Sequence, residues 1–531
     1  MPKVKIEPPY YPIIYVRGYA GTAKEVEDTV ADPYMGFNVG STKIRQLWTS
    51  KINRYYFESP LVRLMKEYQY KDVYTGGVEM PPEAVVDPKS VFIYRYYDYA
   101  SADLGQGKRQ PIESYAKGLS DLIIKVRDRI CQGDPQAIKD FQVYLVAHSM
   151  GGLVCRCFLQ NKKYGSDEAR RLVNKVFTYA TPHNGIDVGL IGNLPGFLTY
   201  HEADTFNRER MEKYLDLPAR RENQGVDDLN GTFDPDRFFC LVGTNERDYE
   251  VAGGLSRTVV GPMSDGLVRI ENATVSGRWA EGNQIVKKQS PRAFVYRSHS
   301  GHYGVVNSEE GYQNLTRFLF GNVRVDCELQ VHELLLPAEV QKALGSGKDI
   351  RASYHIEVAA RVRGAIWDLH RRTVSENSAI FRFYEELVAP KNTDVDGYLP
   401  RNPMLFSAFL DTRKRVNLKR QSLGFSIDFG VLVPQYTIHN ELWLDNHYEG
   451  GYIYRDKLNL EAFPSEKGSN TGQWTLKYGF DSKTPNTTSK LATMEQSTHE
   501  NYAVYRIPIE KPTRPGIRAE LVLTVRPWDI K

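Results

Sequence analysis

Long apolar runs are missing from this sequence of 531 residues, and none approaches the ~20 residues that a membrane-spanning helix needs. The first residues, MPKVKIEPPYYPIIYV, contain no apolar stretch long enough for a signal peptide. We therefore expect a chain without signal peptide or transmembrane segment that is made in the cytoplasm. Export by a non-classical route stays open.

An excess of charge of one sign is also missing. The 69 Lys and Arg residues are nearly balanced by 65 Asp and Glu residues, so the formal net charge is only +4. Proteins that bind nucleic acid usually carry a strong basic excess, and this balance gives no reason to expect such a partner.

Cysteine is scarce, and its spacing indicates neither a disulfide framework nor a metal site. The five cysteines are an odd number and contain no Cys-x-x-Cys pair. They are Cys131, Cys155, Cys157, Cys240 and Cys327. We expect buried free thiols in a reducing compartment, and we expect no metal and no cofactor because no ligand cluster has convincing spacing.

The chain is too long for one hydrophobic core, since cores stop growing near ~250 to 300 residues. Up to about Gly321, short apolar runs alternate with helical patterns, which predicts a mostly parallel sheet covered by helices on both faces. The runs are PIIYVRGY, SVFIYRYY, FQVYLVAHS, NKVFTYATP, RFFCLVGTN and RAFVYRSHS. Apolar residues recur at helical spacing over 112–130, which predicts a crossover helix packed on this sheet.

After Gly321 the apolar residues recur with period two, as in GIRAELVLTV and SLGFSIDFGVLV. Many such segments joined by turn-rich stretches predict a β-sandwich. We therefore predict an α/β domain over residues 1–321 and an accessory β-sandwich domain over 322–531.

The stretch QVYLVAHSMGGLVCRCF predicts a strand, a tight turn at Ser149 and a helix. This is the context of a nucleophile elbow, in which the residues two before and two after the serine must be small. Ala147 and Gly151 meet that condition, with alanine in place of the usual first glycine. A small residue two places before a serine and a glycine two places after it are also common in ordinary turns, so the surrounding motifs decide the interpretation.

A serine nucleophile needs two N–H donors for the oxyanion, one from the residue after the nucleophile and one from an early loop. Met150 supplies the first. The loop in YVRGYAGT is flexible enough to turn the N–H of Tyr19 toward the serine, although an ordinary Gly-containing turn is the alternative.

The acid and the histidine of such a site follow the serine in the chain. Asp265, in GPMSDGLVRI, is preferred as the acid over Asp248, which also follows a strand closely. His302, in SGHYG, is preferred as the base over His299, because it lies in a Gly-His-x-Gly setting between a strand and a helix that we predict to be capped at Asn307.

With these motifs assembled, the first 320 or so positions resemble the α/β-hydrolase lipases, in particular the bacterial lipase and GPI inositol-deacylase-like group. The segments RGYAG, AHSMGG, ATPHNG, SDGLV and SGHYG carry the resemblance. It implies a serine ester hydrolase in which Ser149 attacks the ester carbonyl, His302 moves the proton and Asp265 orients the imidazole. His148 and His183 are then expected to shape the site, and the expected substrate is a lipid or another ester.

Two insertions bear on the partners. Apolar residues within about 186–235 predict a lid over the site, or alternatively a cap packed permanently on the domain. The insertion from about residue 32 to 77 is rich in aromatic and basic residues, which is compatible with peripheral membrane contact and equally with a solvated surface. The sandwich domain offers a surface for a protein partner or serves stability alone.

Other functions stay open at this point. The domain organisation also fits an exported antibacterial phospholipase effector of the type VI kind. A non-catalytic binding or scaffold protein on a hydrolase fold is a second alternative. Serine peptidase and thioesterase activities use the same residues, and no feature of the sequence separates them from an esterase.

Overall fold

The computed structural model divides into two compact units, Met1–Arg292 with Arg297–Phe320, and Ala293–Tyr296 with Gly321–Lys531. The described residues are 4–18, 20, 23–32, 34, 36–46, 49–75, 78–79, 81, 84–186, 204–219, 224–247, 263–301, 303–365, 367–374, 379–388, 402–414, 422–438, 446–464, 474–482, 496–498 and 502–529.

Parallel strands form the centre of the first unit. The strands up to Val295 are β1 (Ile13–Val16), β2 (Ser41–Gln46), β3 (Ile52–Phe57), β4 (Lys71–Asp72), β5 (Tyr74–Thr75), β6 (Val78–Glu79), β7 (Ser90–Ile93), β8 (Val143–His148), β9 (Val173–Tyr179), β10 (Phe238–Gly243), β11 (Ser276–Glu281), β12 (Gln284–Gln289) and β13 (Arg292–Val295). Seven of them make one sheet in the order β13-β10-β9-β8-β1-β7-β4, and the neighbours from β4 to β10 pair in parallel. Three two-stranded hairpins, β2-β3, β5-β6 and β11-β12, stand apart from it.

The order of the strands determines where a site can form. Strand β1 lies between β7 on one side and β8 on the other. The chain adds β4 and β7 on one side of β1, and then β8, β9 and β10 on the other side. Loops at the carboxyl ends of strands diverge at such a switch point and leave a crevice for a ligand. The residues of β1 and β8 are almost all buried, which explains why both read as continuous apolar runs.

Helices flank this sheet along the chain. They are α1 (Ala23–Ala31), α2 (Pro60–Tyr68), α3 (Ile112–Cys131), α4 (Pro135–Asp140), α5 (Met150–Gln160), α6 (Asp167–Leu172), α7 (Arg208–Tyr214) and α8 (Glu309–Phe320). Helix α3 is the predicted crossover helix, and Ala116, Leu119 and Ile123 on its apolar stripe are buried. Every residue of α5 is buried, so the helix that follows Ser149 is held on all sides.

The second unit consists mainly of antiparallel strands. They are β14 (Val323–Leu335), β15 (Ile350–Val362), β16 (His370–Arg372), β17 (Ile380–Phe383), β18 (Met404–Leu410), β19 (Leu423–Ile438), β20 (Asn446–Pro464), β21 (Trp474–Phe480), β22 (Gln496–Thr498), β23 (Ala503–Lys511) and β24 (Gly516–Pro527), with helices α9 (Ala338–Gly345) and α10 (Tyr384–Val388). One sheet has the order β18-β14-β24-β23-β22, and the other has β16-β15-β19-β20-β21 with β17 also paired to β15. Both sheets contribute to one hydrophobic core, for example through Leu521 and Val358.

The predicted fold class is confirmed: a mostly parallel sheet with helices precedes an antiparallel, sandwich-like region along the chain. All six apolar runs form strands of the large sheet, as β1, β7, β8, β9, β10 and β13. All five cysteines are buried free thiols, as their spacing indicates. Among the helices of the described residues, none is long and apolar enough to cross a membrane.

Candidate active site

Ser149 occupies a strained turn between β8 and α5. Its φ is +51° and its ψ is −125°, a conformation that a side-chain-bearing residue adopts only where the surroundings impose it. Two hydrogen bonds impose it here. The Ser149 N–H donates to the Tyr179 carbonyl at 2.9 Å, and the Thr181 hydroxyl donates to the Ser149 carbonyl at 2.9 Å. The turn is therefore fixed by the neighbouring strand β9 and the loop that follows it.

Close backbone approaches explain two glycines of the motifs. A Cβ at Gly151 would lie 2.2 Å from the Val16 carbonyl oxygen, so the residue two places after the serine has no room for a side chain. A Cβ at Gly18 would lie 2.7 Å from Cβ of Ser149. The early loop and the elbow are therefore in direct contact at the carboxyl ends of β1 and β8, as a shared site requires.

The imidazole of His299 bridges the serine and an aspartate. Its Nε2 lies 2.9 Å from Oγ of Ser149, and its Nδ1 lies 3.0 Å from Oδ2 of Asp265. All three side chains are buried. A carboxylate only accepts hydrogen bonds, so Nδ1 carries the proton and Nε2 offers its lone pair to the serine hydroxyl. This is the arrangement of a nucleophile, a general base and an orienting acid.

Backbone donors hold the Asp265 carboxylate at the other end of this chain of hydrogen bonds. Its Oδ1 accepts the N–H of Leu267 at 3.0 Å and the N–H of Val268 at 2.7 Å. The Asp265 carbonyl also accepts the N–H of His299 at 2.9 Å. The loop that follows the aspartate thus fixes the carboxylate, and the aspartate fixes both the backbone and the ring of the histidine. Asp248, the alternative acid, lies outside the described residues.

The histidine that contacts the serine and the aspartate is not the one that the sequence favours as the base. His302 was preferred for its Gly-His-x-Gly setting, and it lies outside the described residues. The imidazole that contacts both Ser149 and Asp265 is that of His299, the alternative candidate. His299 follows the edge strand β13 by four residues, which brings its ring over the carboxyl end of the sheet. The motif that favoured His302 carries no information about this direction.

Of the two donors expected for an oxyanion, Met150 lies within the described residues and Tyr19 does not. Met150 is the first residue of α5, so its N–H has no acceptor within the helix. Tyr19 lies outside the described residues, whereas both of its neighbours are held by Tyr97. The N–H of Ala20 donates to the Tyr97 hydroxyl at 2.7 Å, and that hydroxyl donates to the Gly18 carbonyl at 3.1 Å.

Two further side chains donate hydrogen bonds to backbone carbonyls on either side of Tyr19. The hydroxyl of Tyr96 donates to the Arg17 carbonyl at 2.7 Å, and the guanidinium of Arg109 donates to the Ala20 carbonyl at 2.6 Å. Sequence reasoning missed Tyr96, Tyr97 and Arg109. The only signal was the aromatic run YRYYDY after a strand, which by itself is typical of a packed strand end.

The two histidines expected to shape the site are neutral. Burial, together with His299 and Arg17 nearby, lowers the pKa of His148 to about 3. Its Nε2 lies 2.9 Å from the His299 carbonyl, so Nε2 carries the proton and donates it. Burial also lowers the pKa of His183 well below its usual value, and Nε2 of this ring lies 3.1 Å from the Thr178 hydroxyl. His148 therefore contacts the backbone of the central histidine.

A buried ion-pair network lies beneath the His299 loop. Arg297 donates to Oε2 of Glu310 through Nε at 3.1 Å and Nη2 at 2.9 Å, and Lys43 of β2 pairs with the other oxygen. Burial raises the pKa of Glu310, but the charges of Arg297 and Lys43 outweigh it and hold this pKa below its usual value.

The predicted cap of helix α8 at Asn307 is wrong by one residue. The Ser308 hydroxyl accepts the Gly311 N–H at 2.9 Å, so Ser308 caps the helix. The Glu310 side chain takes part in the ion-pair network and not in the cap.

The described residues contain neither a candidate metal site nor the segment that we expect to form a lid. Within the described ranges, no group of three or more His, Cys, Asp or Glu side chains is arranged to hold a metal ion. The apolar residues expected to form a lid, at 191–200, lie outside the described residues. Among the described residues, the structure brings the side chains of Ser149, His299 and Asp265 together at the carboxyl end of the sheet.

Comparison with known proteins identifies a hydrolase fold within the first unit. Residues 112–210 match the family described as PGAP1-like alpha/beta domain, which confirms the predicted resemblance at the level of the family and the fold. The matched segment contains α3, β8, the Ser149 elbow, α5 and β9. No sequence among the curated proteins matches the chain.

Three solved structures show likenesses at low identity. The product of gene lin2722 from Listeria innocua is 14% identical, with 58% of this chain and 93% of that chain covered and a TM-score of 0.27. Phospholipase PlaB from Legionella pneumophila in complex with thio-NAD is 13% identical, with 83% and 89% covered and a TM-score of 0.30. The Tle4-Tli4 complex is 14% identical, with 46% and 59% covered and a TM-score of 0.19.

Proposed function

We propose that this chain, which contains a PGAP1-like α/β domain at residues 112–210, is a serine hydrolase that cleaves carboxylic esters of lipids. One observation carries the proposal: the imidazole of His299 lies within hydrogen-bond distance of both the Ser149 hydroxyl and the Asp265 carboxylate. Three buried groups in this order activate a serine hydroxyl, which is otherwise a weak nucleophile at neutral pH.

In the first half of the reaction, Oγ of Ser149 attacks the ester carbonyl while Nε2 of His299 takes the hydroxyl proton. Asp265 holds Nδ1–H and stabilises the imidazolium that forms. The Met150 N–H at the start of α5 donates a hydrogen bond to the negatively charged former carbonyl oxygen, and the N–H of Tyr19 is the second donor that we propose. His299 then returns its proton to the leaving alcohol, which departs and leaves an acyl group on Ser149.

In the second half, water takes the place of the alcohol. Nε2 of His299 removes a proton from the water, whose oxygen attacks the acyl carbonyl, and the same proton returns to Oγ of Ser149 as the acid is released. The neutral His148 ring does not compete for these protons at the pH of catalysis, because its pKa lies near 3. One base therefore serves both halves of the cycle.

Lipid esters are the substrate class that we propose. The match of residues 112–210 to a hydrolase family supports this class, and the segments AHSMGG and SDGLV resemble those of lipases. The first unit also exposes apolar and basic side chains on one hairpin, a feature suited to substrates held in a membrane. A short water-soluble ester tests the chemistry without this surface, whereas a phospholipid or triglyceride tests the substrate class.

The test compares the wild-type protein with Ser149→Ala on defined phospholipid, triglyceride and short-chain ester panels. We expect serine-dependent release of fatty acid and labelling of Ser149 by a fluorophosphonate, located by mass spectrometry of the labelled peptide. Ser346→Ala, which alters an exposed serine of the second unit, is the matched control and should keep full activity. If neither hydrolysis nor labelling occurs, the chain is a binding or scaffold protein on a hydrolase fold.

A further inference from the structure

The hairpin formed by β2 (Ser41–Gln46) and β3 (Ile52–Phe57) has an apolar face that points to solvent. Cross-strand partners share a face, and the pairs Thr42 with Tyr56, Ile44 with Arg54 and Gln46 with Ile52 are all exposed. The exposed fractions are 66% for Ile44, 59% for Ile52 and 72% for Tyr56. Three large apolar side chains on one face of a short hairpin are more than the scattered exposure of an ordinary surface.

All charges of this hairpin have one sign. Residues 41–57 contain four basic residues, Lys43, Arg45, Lys51 and Arg54, and no acidic residue. Lys51 and Arg54 are exposed, and Arg54 lies on the same face as the two isoleucines. The whole chain is nearly neutral, so this segment is a local concentration of positive charge. Apolar and cationic groups on one face match an apolar layer that lies beneath anionic headgroups.

The opposite face of the hairpin is tied to the loop that carries His299. Lys43 belongs to β2, and its ammonium pairs with Glu310. The same Glu310 carboxylate is held by Arg297, two residues before His299. The exposed face and the catalytic imidazole therefore belong to one hydrogen-bonded framework within the first unit.

We propose that the exposed face of the β2-β3 hairpin docks the protein on an anionic lipid bilayer, with Ile44, Ile52 and Tyr56 entering the interface and Arg54 and Lys51 meeting the headgroups. The proposal rests on the proposed function, because a lipid hydrolase meets its substrate at such a surface. Tyrosine is suited to this position, since its ring is apolar and its hydroxyl remains hydrated.

A bilayer fits this face better than a second copy of the chain does. In a symmetric dimer the same face would meet itself and bring Arg54 and Lys51 against equal charges. The three exposed pairs present six side chains, whereas a stable protein interface uses about 20 to 30 residues a side. A bilayer needs no complementary shape, and its anionic lipids supply the opposite charge.

The experiment measures sedimentation of the full-length protein with vesicles of phosphatidylcholine alone and of phosphatidylcholine with phosphatidylserine. We expect the wild-type protein to bind the anionic vesicles at least about tenfold more strongly, and to lose most of this preference in high salt. The double variant Ile44→Ser/Ile52→Ser should bind at least about tenfold more weakly, and Arg54→Glu about fivefold more weakly. Hydrolysis of a soluble short-chain ester should stay at the wild-type level in both.

Matched controls separate this proposal from the proposed function. Ile285→Ser changes an isoleucine that is 76% exposed on the β11-β12 hairpin and should leave vesicle binding unchanged. Ser149→Ala should bind vesicles like the wild-type protein, because docking requires no chemistry. Vesicle binding without hydrolysis of any ester would support the docking proposal and contradict the proposed hydrolase function. Equal binding by the wild-type protein and the double variant, no vesicle binding at all, or a concentration-dependent dimer lost in the double variant would overturn the docking proposal.

Discussion

Arg297 and Glu310 form a buried, charge-assisted pair in which both Nε and Nη2 of the guanidinium donate to the same carboxylate oxygen. Arg297 lies two residues before His299, and the Arg297 carbonyl also accepts the Asn245 N–H at 3.1 Å. The loop that carries the His299 imidazole is therefore anchored by an ion pair inside the protein.

We expect Glu310→Gln to lower the free energy of unfolding by about 3 kcal/mol at neutral pH, because Arg297 is left buried without its counter-charge. The pKa of Glu310 is held below normal, so its contribution is present above about pH 4.5 and is lost as the pH falls through the lowered value. Urea unfolding of both proteins at several pH values measures this, and their difference should shrink in acid. Glu271→Gln, at an exposed carboxylate, should leave stability unchanged. An equal loss at pH 7 and pH 3 would contradict the prediction.

His299→Ala and His302→Ala separate the two candidate bases directly. Removal of the general base should lower kcat about 10⁴- to 10⁶-fold, because the Ser149 hydroxyl then keeps its proton. We expect this loss for His299→Ala and near wild-type rates for His302→Ala on a soluble ester. The reverse result would restore the preference drawn from the Gly-His-x-Gly motif.

Much of the first unit could be predicted from sequence, for a physical reason. Strands buried on both faces, such as β1 and β8, read as continuous apolar runs, and the steric demands of the elbow restrict its residues to small ones. The choice between His299 and His302 depends on which side chain turns over the sheet, and local sequence does not encode this. The hydrogen bond between Tyr97 and Ala20 joins residues 77 positions apart, so no local pattern could reveal it.

Tyr97→Phe tests whether that distant contact positions the proposed oxyanion donor. The variant removes the hydroxyl that accepts the Ala20 N–H and donates to the Gly18 carbonyl, on either side of Tyr19. We expect kcat to fall about tenfold or more with little change in KM, since the donor acts mainly on the transition state. Tyr94→Phe is the control, because its hydroxyl donates to the Tyr115 carbonyl at 2.7 Å and does not contact this loop. Equal losses in the two variants would indicate a general packing effect.

His148→Gln tests the neutral histidine beside the site through its effect on stability. Burial lowers the pKa of His148 to about 3, whereas an unfolded chain protonates this residue near pH 6.5. Protons therefore favour the unfolded state below about pH 6.5, and glutamine, which keeps a donor for the His299 carbonyl, removes this dependence. The difference in the free energy of unfolding between wild type and variant should be constant from pH 8 to 7. By pH 5 the free energy of unfolding of the wild-type protein should have fallen by about 2 kcal/mol relative to that of the variant. This follows from about 1.4 kcal/mol for each pH unit below 6.5. A difference that stays flat down to pH 5 would show that His148 is protonated in the folded protein.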